Sequence, residues 1–131
     1  MKYIILFLTL MISPLTWAGS GKAIIPNWDL SAHSAAIDLS NITENPIDVK
    51  IKLFNKDGSI ADLASFGAES TFTIEPKATK RITLRKEGAY YGFGYIYWAN
   101  QPSTGDDAVA LIAHIFTRVH GKLPINDSRP F

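Results

Sequence analysis

Aromatic side chains at alternate positions are the residues of this chain best suited to recognition. They occupy every second position of one β-prone segment, namely Tyr91, Phe93, Tyr95 and Tyr97. Successive side chains of a strand point to opposite faces, so we expect the four rings on one face. Aromatic rings bury much area and lose little conformational freedom, which suits contacts with sugars, peptides or proteins.

We therefore predict a contact surface formed by these four rings, assisted by Trp98 and the polar loop 100–107. Its partner is either another protein or a second copy of the chain, and a small ligand or carbohydrate is the alternative. The rings could instead fill the core, with their hydroxyls at its rim. Gly92 and Gly94 alternate with the rings and predict a shallow groove beside Trp98, into which a loop, a ligand or a second subunit could pack.

Histidines offer little for metal binding. The chain has three, His33, His114 and His120. The last two lie six positions apart, which is about 20 Å along an extended strand. A zinc site would need distant carboxylates such as Asp29 or Asp38 beside His114. We predict no metal site and no cofactor.

Catalytic motifs are also missing from the sequence. There is no cysteine and no Gly-x-Ser-x-Gly elbow. Asp106 and Asp107 are adjacent acids in a polar loop, a position typical of solvated or turn-capping carboxylates. A hydrolase that uses His114 with one of them is the remaining enzymatic hypothesis, and we predict no catalytic residues.

The N-terminus has the layout of a secretory signal peptide, residues 1–18. Lys2 precedes an apolar run over residues 3–12, and a small residue, Ala18, offers a cleavage point before Gly19. The run is about half the roughly 20 residues that a membrane-spanning helix needs. We expect a mature domain over residues 19–131, periplasmic or secreted, without stable membrane insertion.

Charge and cysteine content narrow the partners and the compartment. Lys and Arg total 13 and Asp and Glu total 12, and this flat balance disfavours nucleic acid as a partner. A chain without cysteine has no disulfide framework and no lipid-attachment site at the cleavage point. The sequons at Asn41 and Asn126 would matter only in a eukaryotic secretory pathway.

Hydrophobic residues recur with period two, which predicts an all-β fold. We expect a single antiparallel β-sandwich of about six to eight strands. Residues 23–25 would form an edge strand, and residues 108–119 a central strand buried on both faces for much of its length. Trp28 is expected to plug the open end of the sandwich, and residues from Gly121 onward to form a tail.

The order of several segments is similar to the small β-sandwich of the sensory rhodopsin transducer family. An Ile-Pro segment near the start is followed by VKIKLF (49–54), FTIEPKATKRITL (72–84) and LIAHIFTRV (111–119). The resemblance implies a β-sandwich, a tendency to oligomerise, and action by binding rather than catalysis. The positions that carry a specific likeness to the family are His114, Thr117 and Arg118. That family is cytoplasmic, so the predicted signal peptide departs from it.

Overall fold

A computed structural model describes residues 18–131, and β-strands form most of their regular structure. The predicted signal peptide lies outside the described residues, apart from Ala18. The strands are β1 (Ser20–Ile25), β2 (Ser34–Asn41), β3 (Ile47–Phe54), β4 (Ile60–Ala61), β5 (Thr71–Ile74), β6 (Thr79–Arg85), β7 (Gly94–Asn100), β8 (Leu111–Thr117) and β9 (Gly121–Pro124). Two short 3₁₀ turns, Leu63–Phe66 and Asn126–Ser128, complete the fold.

The strands form two antiparallel sheets. One has the order β1-β7-β3-β4, with β5 also paired to β3, and the other has the order β6-β2-β8-β9. The inward side chains of both sheets belong to one hydrophobic cluster. The predicted all-β fold is therefore confirmed, and the two open sheets around one core are consistent with a β-sandwich.

Alternation in the sequence explains which side of each sheet is buried. In β3, Ile47, Val49, Ile51 and Leu53 are at most 2% exposed, while the residues between them face outward. Burial of one such face supplies the main driving force for folding. Ala23 and Ile25 are buried in the same way in β1, which lies at the sheet edge as predicted.

Strand β8 is central but shorter than predicted. It lies between β2 and β9, and only its inward face is buried. On the other face Phe116 is 53% exposed. The prediction of a strand buried on both faces was therefore wrong, because no further layer covers that side of the sheet among residues 18–131.

The C-terminal segment is a strand rather than a tail. Gly121 adopts a left-handed φ of 72° after a three-residue turn, and β9 then pairs with β8. This turn geometry is common in hairpins and favours glycine. Phe131 is 7% exposed and exchanges backbone hydrogen bonds with Leu111. Together with the two-residue β4, this gives nine strands in the described chain instead of six to eight.

Trp28 is fully buried, as its predicted plugging role requires. Its ring centroid lies 5.4 Å from that of Phe66. Its indole Nε1 donates hydrogen bonds to the carbonyl oxygens of Phe54, at 3.0 Å, and Phe93, at 3.1 Å.

Residues 18–131 contain no helix that is long and apolar enough to cross a bilayer.

Candidate interaction surface on the five-stranded sheet

Strand β7 divides its side chains between the core and the opposite side of the five-stranded sheet, here called the outer face. Ile96 and Trp98 point into the core and are 0% and 2% exposed. Tyr95 and Tyr97 point outward and are half-buried. The predicted alternation of this segment is therefore present over β7.

The outward rings form a continuous row, here called the aromatic row: Phe54, Phe93, Tyr95 and Tyr97. Phe93 stacks on Phe54 with centroids 5.0 Å apart and planes 11° from parallel. Tyr95 meets Phe93 edge-on at 5.6 Å and lies 5.9 Å from Tyr97. Phe54 comes from β3, so the row joins two neighbouring strands.

Lysines flank the aromatic row because of the strand register. Lys50 pairs with Tyr97 and Lys52 with Tyr95 across β3 and β7. On the opposite flank, Lys22 of β1 pairs with Tyr97. Directly opposed residues in an antiparallel sheet share a face, so all three lysines lie on the outer face.

Several ammonium groups lie over ring faces. Lys22 Nζ is 4.9 Å from the centroid of Tyr95, and Lys52 Nζ is 5.3 Å from that of Phe54. These distances are within the range of cation–π attraction. The contacts hold the lysines against the row and cover ring surface.

A groove runs beside Tyr97 across β7, β3 and β5. Its volume is about 510 Å³, and its lining includes Lys50, Thr71 and Tyr97. Asp48, at its edge, accepts hydrogen bonds from Thr73 Oγ1 at 2.8 Å and Gln101 Nε2 at 3.0 Å. Within residues 18–131, Lys50 on one side of the groove forms no ion pair, and Asp48 at its edge already accepts two hydrogen bonds.

Two of the five predicted contact residues stand apart from the row. Tyr91 is 44% exposed but precedes β7, and Lys56 Nζ lies 5.6 Å from its ring centroid. Trp98 lies in the core at 2% exposure and reaches the outer face only as part of the lining of the groove beside Tyr97. The structure brings together Phe93, Tyr95 and Tyr97 and adds Phe54.

Gly92 and Gly94 do not form the groove predicted beside Trp98, since the groove that Trp98 lines includes neither glycine. A Cβ on Gly92 would stand 1.9 Å from the carbonyl oxygen of Phe54, and one on Gly94 would stand 2.6 Å from that of Lys52. These glycines let the chain approach the β3 backbone closely, and carbonyl oxygens of β3 fill the space that a side chain would need.

The loop 100–107 is tied to the sandwich by a buried amide. Asn100 is 3% exposed, and its Oδ1 accepts from the backbone N–H groups of Asp107, at 2.9 Å, and Gly19, at 3.1 Å. Asp107 Oδ2 accepts from Asn100 Nδ2 at 2.8 Å and Asn45 Nδ2 at 3.1 Å. This carboxylate is therefore held by structural hydrogen bonds, whereas His114, its hypothetical catalytic partner, lies opposite Asp38 in the other sheet.

Two carboxylates away from the outer face, Asp38 and Asp29, are held by neighbouring side chains. Two hydrogen bonds from Arg81, at 2.6 and 2.8 Å, lower the pKa of Asp38. Asp29 lies 3.1 Å from His120 Nε2, and hydrogen bonds from Ser31 are the main reason why the pKa of Asp29 is lowered. Within residues 18–131 no three metal-ligating side chains form a group.

Sequence reasoning missed Phe54 and the role of the lysines. The alternation of β3 already places Lys50 and Lys52 on its polar face, but it gives no sign that this face lies beside the tyrosines. That information is in the β3–β7 register, which a single sequence does not reveal.

Comparisons with protein-family models, curated proteins and solved structures find no match to this chain.

Proposed function

We propose that this chain is an exported, non-enzymatic binding protein that contacts another protein, or a second copy of itself, through the outer face of the five-stranded sheet. The observation that carries the proposal is the aromatic row flanked by lysines. Aromatic residues are enriched in the buried centres of protein interfaces, where they dominate binding energy.

Exposed apolar side chains beside the row support this assignment. Ile24 pairs with Tyr95 and is 57% exposed, and Ile60 pairs with Phe54 and is 63% exposed. Phe93, within the row, is 41% exposed. Apolar groups gathered on one face and left in water are a feature of interaction sites.

A second candidate is a small-ligand or carbohydrate-binding module. The groove beside Tyr97 favours it, since about 510 Å³ is within the usual range of ligand sites. This candidate predicts that a soluble sugar or metabolite binds the isolated protein and shifts the resonances of Lys50, Thr71 and Tyr97.

The interface proposal is tested by nuclear magnetic resonance on labelled protein in the extract of its own compartment. We expect resonances of β3 and β7 to broaden there, relative to the dilute pure protein. The broadening should vanish in a Tyr95→Ser, Tyr97→Ser double variant. A Phe116→Ser control removes a more exposed ring from the opposite side of the molecule and should leave the broadening intact. Equal broadening in all three proteins, or none in any, would overturn the proposal.

A further inference from the structure

We infer that the outer face binds a carboxylate-rich segment of a different protein. This inference rests on the proposed function and specifies the chemistry of its partner. It is based on the charge of the outer face and on the lysine ammonium groups that lie over the aromatic rings.

The outer face of β1, β3 and β7, the three longest strands of the five-stranded sheet, is cationic. It carries Lys22, Lys50 and Lys52 against one carboxylate, Asp48. None of the ion pairs formed within residues 18–131 involves these lysines. Asp48 already accepts two hydrogen bonds, so the lysines offer positive charge to a partner. A partner with complementary negative charge gains both association rate and specificity.

The ring geometry disfavours a sugar as the occupant. Sugar stacking requires an open ring face. Here Phe54 and Phe93 cover one face of each other, and lysine ammonium groups lie over Phe54 and Tyr95. Such a surface suits peptide carboxylates and apolar side chains better than the flat side of a pyranose.

Charge also disfavours a second copy seated face to face. A two-fold symmetric contact would bring the patch that carries Lys22, Lys50 and Lys52 in one copy against the same patch of the other. Like charges at an interface are costly, and Asp48, which already accepts two hydrogen bonds, cannot by itself neutralise three ammonium groups. The occupant is therefore a different chain that supplies carboxylates.

The test titrates the labelled protein with a soluble polyglutamate peptide, with polylysine and dextran as the other probes. We expect resonance shifts on β1, β3 and β7 with polyglutamate alone. The affinity should fall at least tenfold in a Lys22→Gln, Lys50→Gln, Lys52→Gln triple variant. A matched triple, Arg85→Gln, Arg118→Gln, Lys122→Gln, removes the same charge elsewhere and should change the affinity less than twofold. Raising the salt concentration should weaken the binding, because screening shortens the reach of charge.

The proposal of an acidic partner would be overturned by any of three results. These are an equal loss of affinity in the two triple variants, resonance shifts confined to the other sheet, and no binding of polyglutamate. Binding of dextran instead would favour the carbohydrate candidate and would likewise overturn it. These results leave the interface proposal standing if extract-induced broadening still depends on Tyr95 and Tyr97. If the broadening does not depend on these tyrosines, the proposed function is wrong whether or not polyglutamate binds. The two failures are therefore distinguishable.

Discussion

Gly92 sets how closely the segment before β7 approaches β3. A Cβ there would collide with the Phe54 carbonyl oxygen at 1.9 Å, an atom that also accepts the indole hydrogen bond of Trp28. We predict that Gly92→Ala lowers the free energy of unfolding by about 1–3 kcal/mol, as overpacking does. Urea denaturation would measure this, with the exposed neighbour Ala89→Ser as the control. An unchanged midpoint would contradict the close approach.

Two buried tryptophans differ in one respect that mutation can separate. Trp28 Nε1 donates to two carbonyl oxygens, whereas Trp98 Nε1 has no hydrogen-bond partner among residues 18–131. Both Trp→Phe changes remove ring volume, but only Trp28→Phe also removes a donor, the indole N–H that bonds the carbonyl oxygens of Phe54 and Phe93. We predict that Trp28→Phe destabilises by about 1–2 kcal/mol more than Trp98→Phe. Equal losses in a thermal-unfolding comparison would mean that the indole hydrogen bonds contribute nothing.

At this scale the sequence predicted some side chains well and others poorly. The burial of Trp28 was predicted, and the local pattern places Tyr95 and Tyr97 on one face of β7, but it left open whether that face is the core. Trp98 alternates with Tyr97 and so lies on the opposite, buried face of β7, although it was predicted to assist the contact surface. Phe54 could not be placed, because its neighbours in the row come from a strand about forty positions away and the pairing register is a tertiary property.

Among the elements, β9 and the C-terminus were the least predictable from sequence. Prolines and polar residues in GKLPINDSRPF suggest a tail, yet β8 offers an unpaired edge that residues 121–124 cover. We predict that Phe131→Ala lowers the free energy of unfolding by about 3–5 kcal/mol, since its ring is buried. The exposed Arg129→Ala should change little in the same denaturation experiment. A Phe131→Ala protein as stable as its parent would show that the terminus is not docked.

The β2–β6 pair carries a pH-dependent contact. Hydrogen bonds from Arg81 lower the pKa of Asp38 from its ordinary value of 3.8. A carboxylate whose pKa is lower in the folded than in the unfolded protein stabilises the fold at pH values above its unfolded-state pKa. This stabilisation is lost as the pH falls through its folded-state pKa. We therefore predict that Arg81→Gln lowers the melting temperature at neutral pH and that this difference shrinks in the acid range below 3.8. Arg85→Gln, on the same strand, is the control, and a deficit that persists unchanged in acid would contradict the assignment.

For the whole molecule, period-two patterning was enough to predict an all-β fold. It did not predict the order of the strands in the two sheets. Sheet order places Lys22 of β1 and Lys50 of β3 on either side of Tyr97, and this arrangement gives the outer face its charge. The resemblance to the sensory rhodopsin transducer sandwich and the signal peptide stay predictions. The second of these expects the exported protein to begin at Gly19, which N-terminal sequencing would check.

The central claim is that the outer face binds another protein in the compartment to which the chain is exported. Its most direct test is a photo-crosslinking residue placed at Tyr97, compared with the same residue at Phe116 on the opposite side of the molecule. We predict one covalent adduct of defined mass from position 97, joined to a carboxylate-rich segment of another protein, and none from position 116. No adduct at position 97, or the same adducts at both positions, would contradict the account.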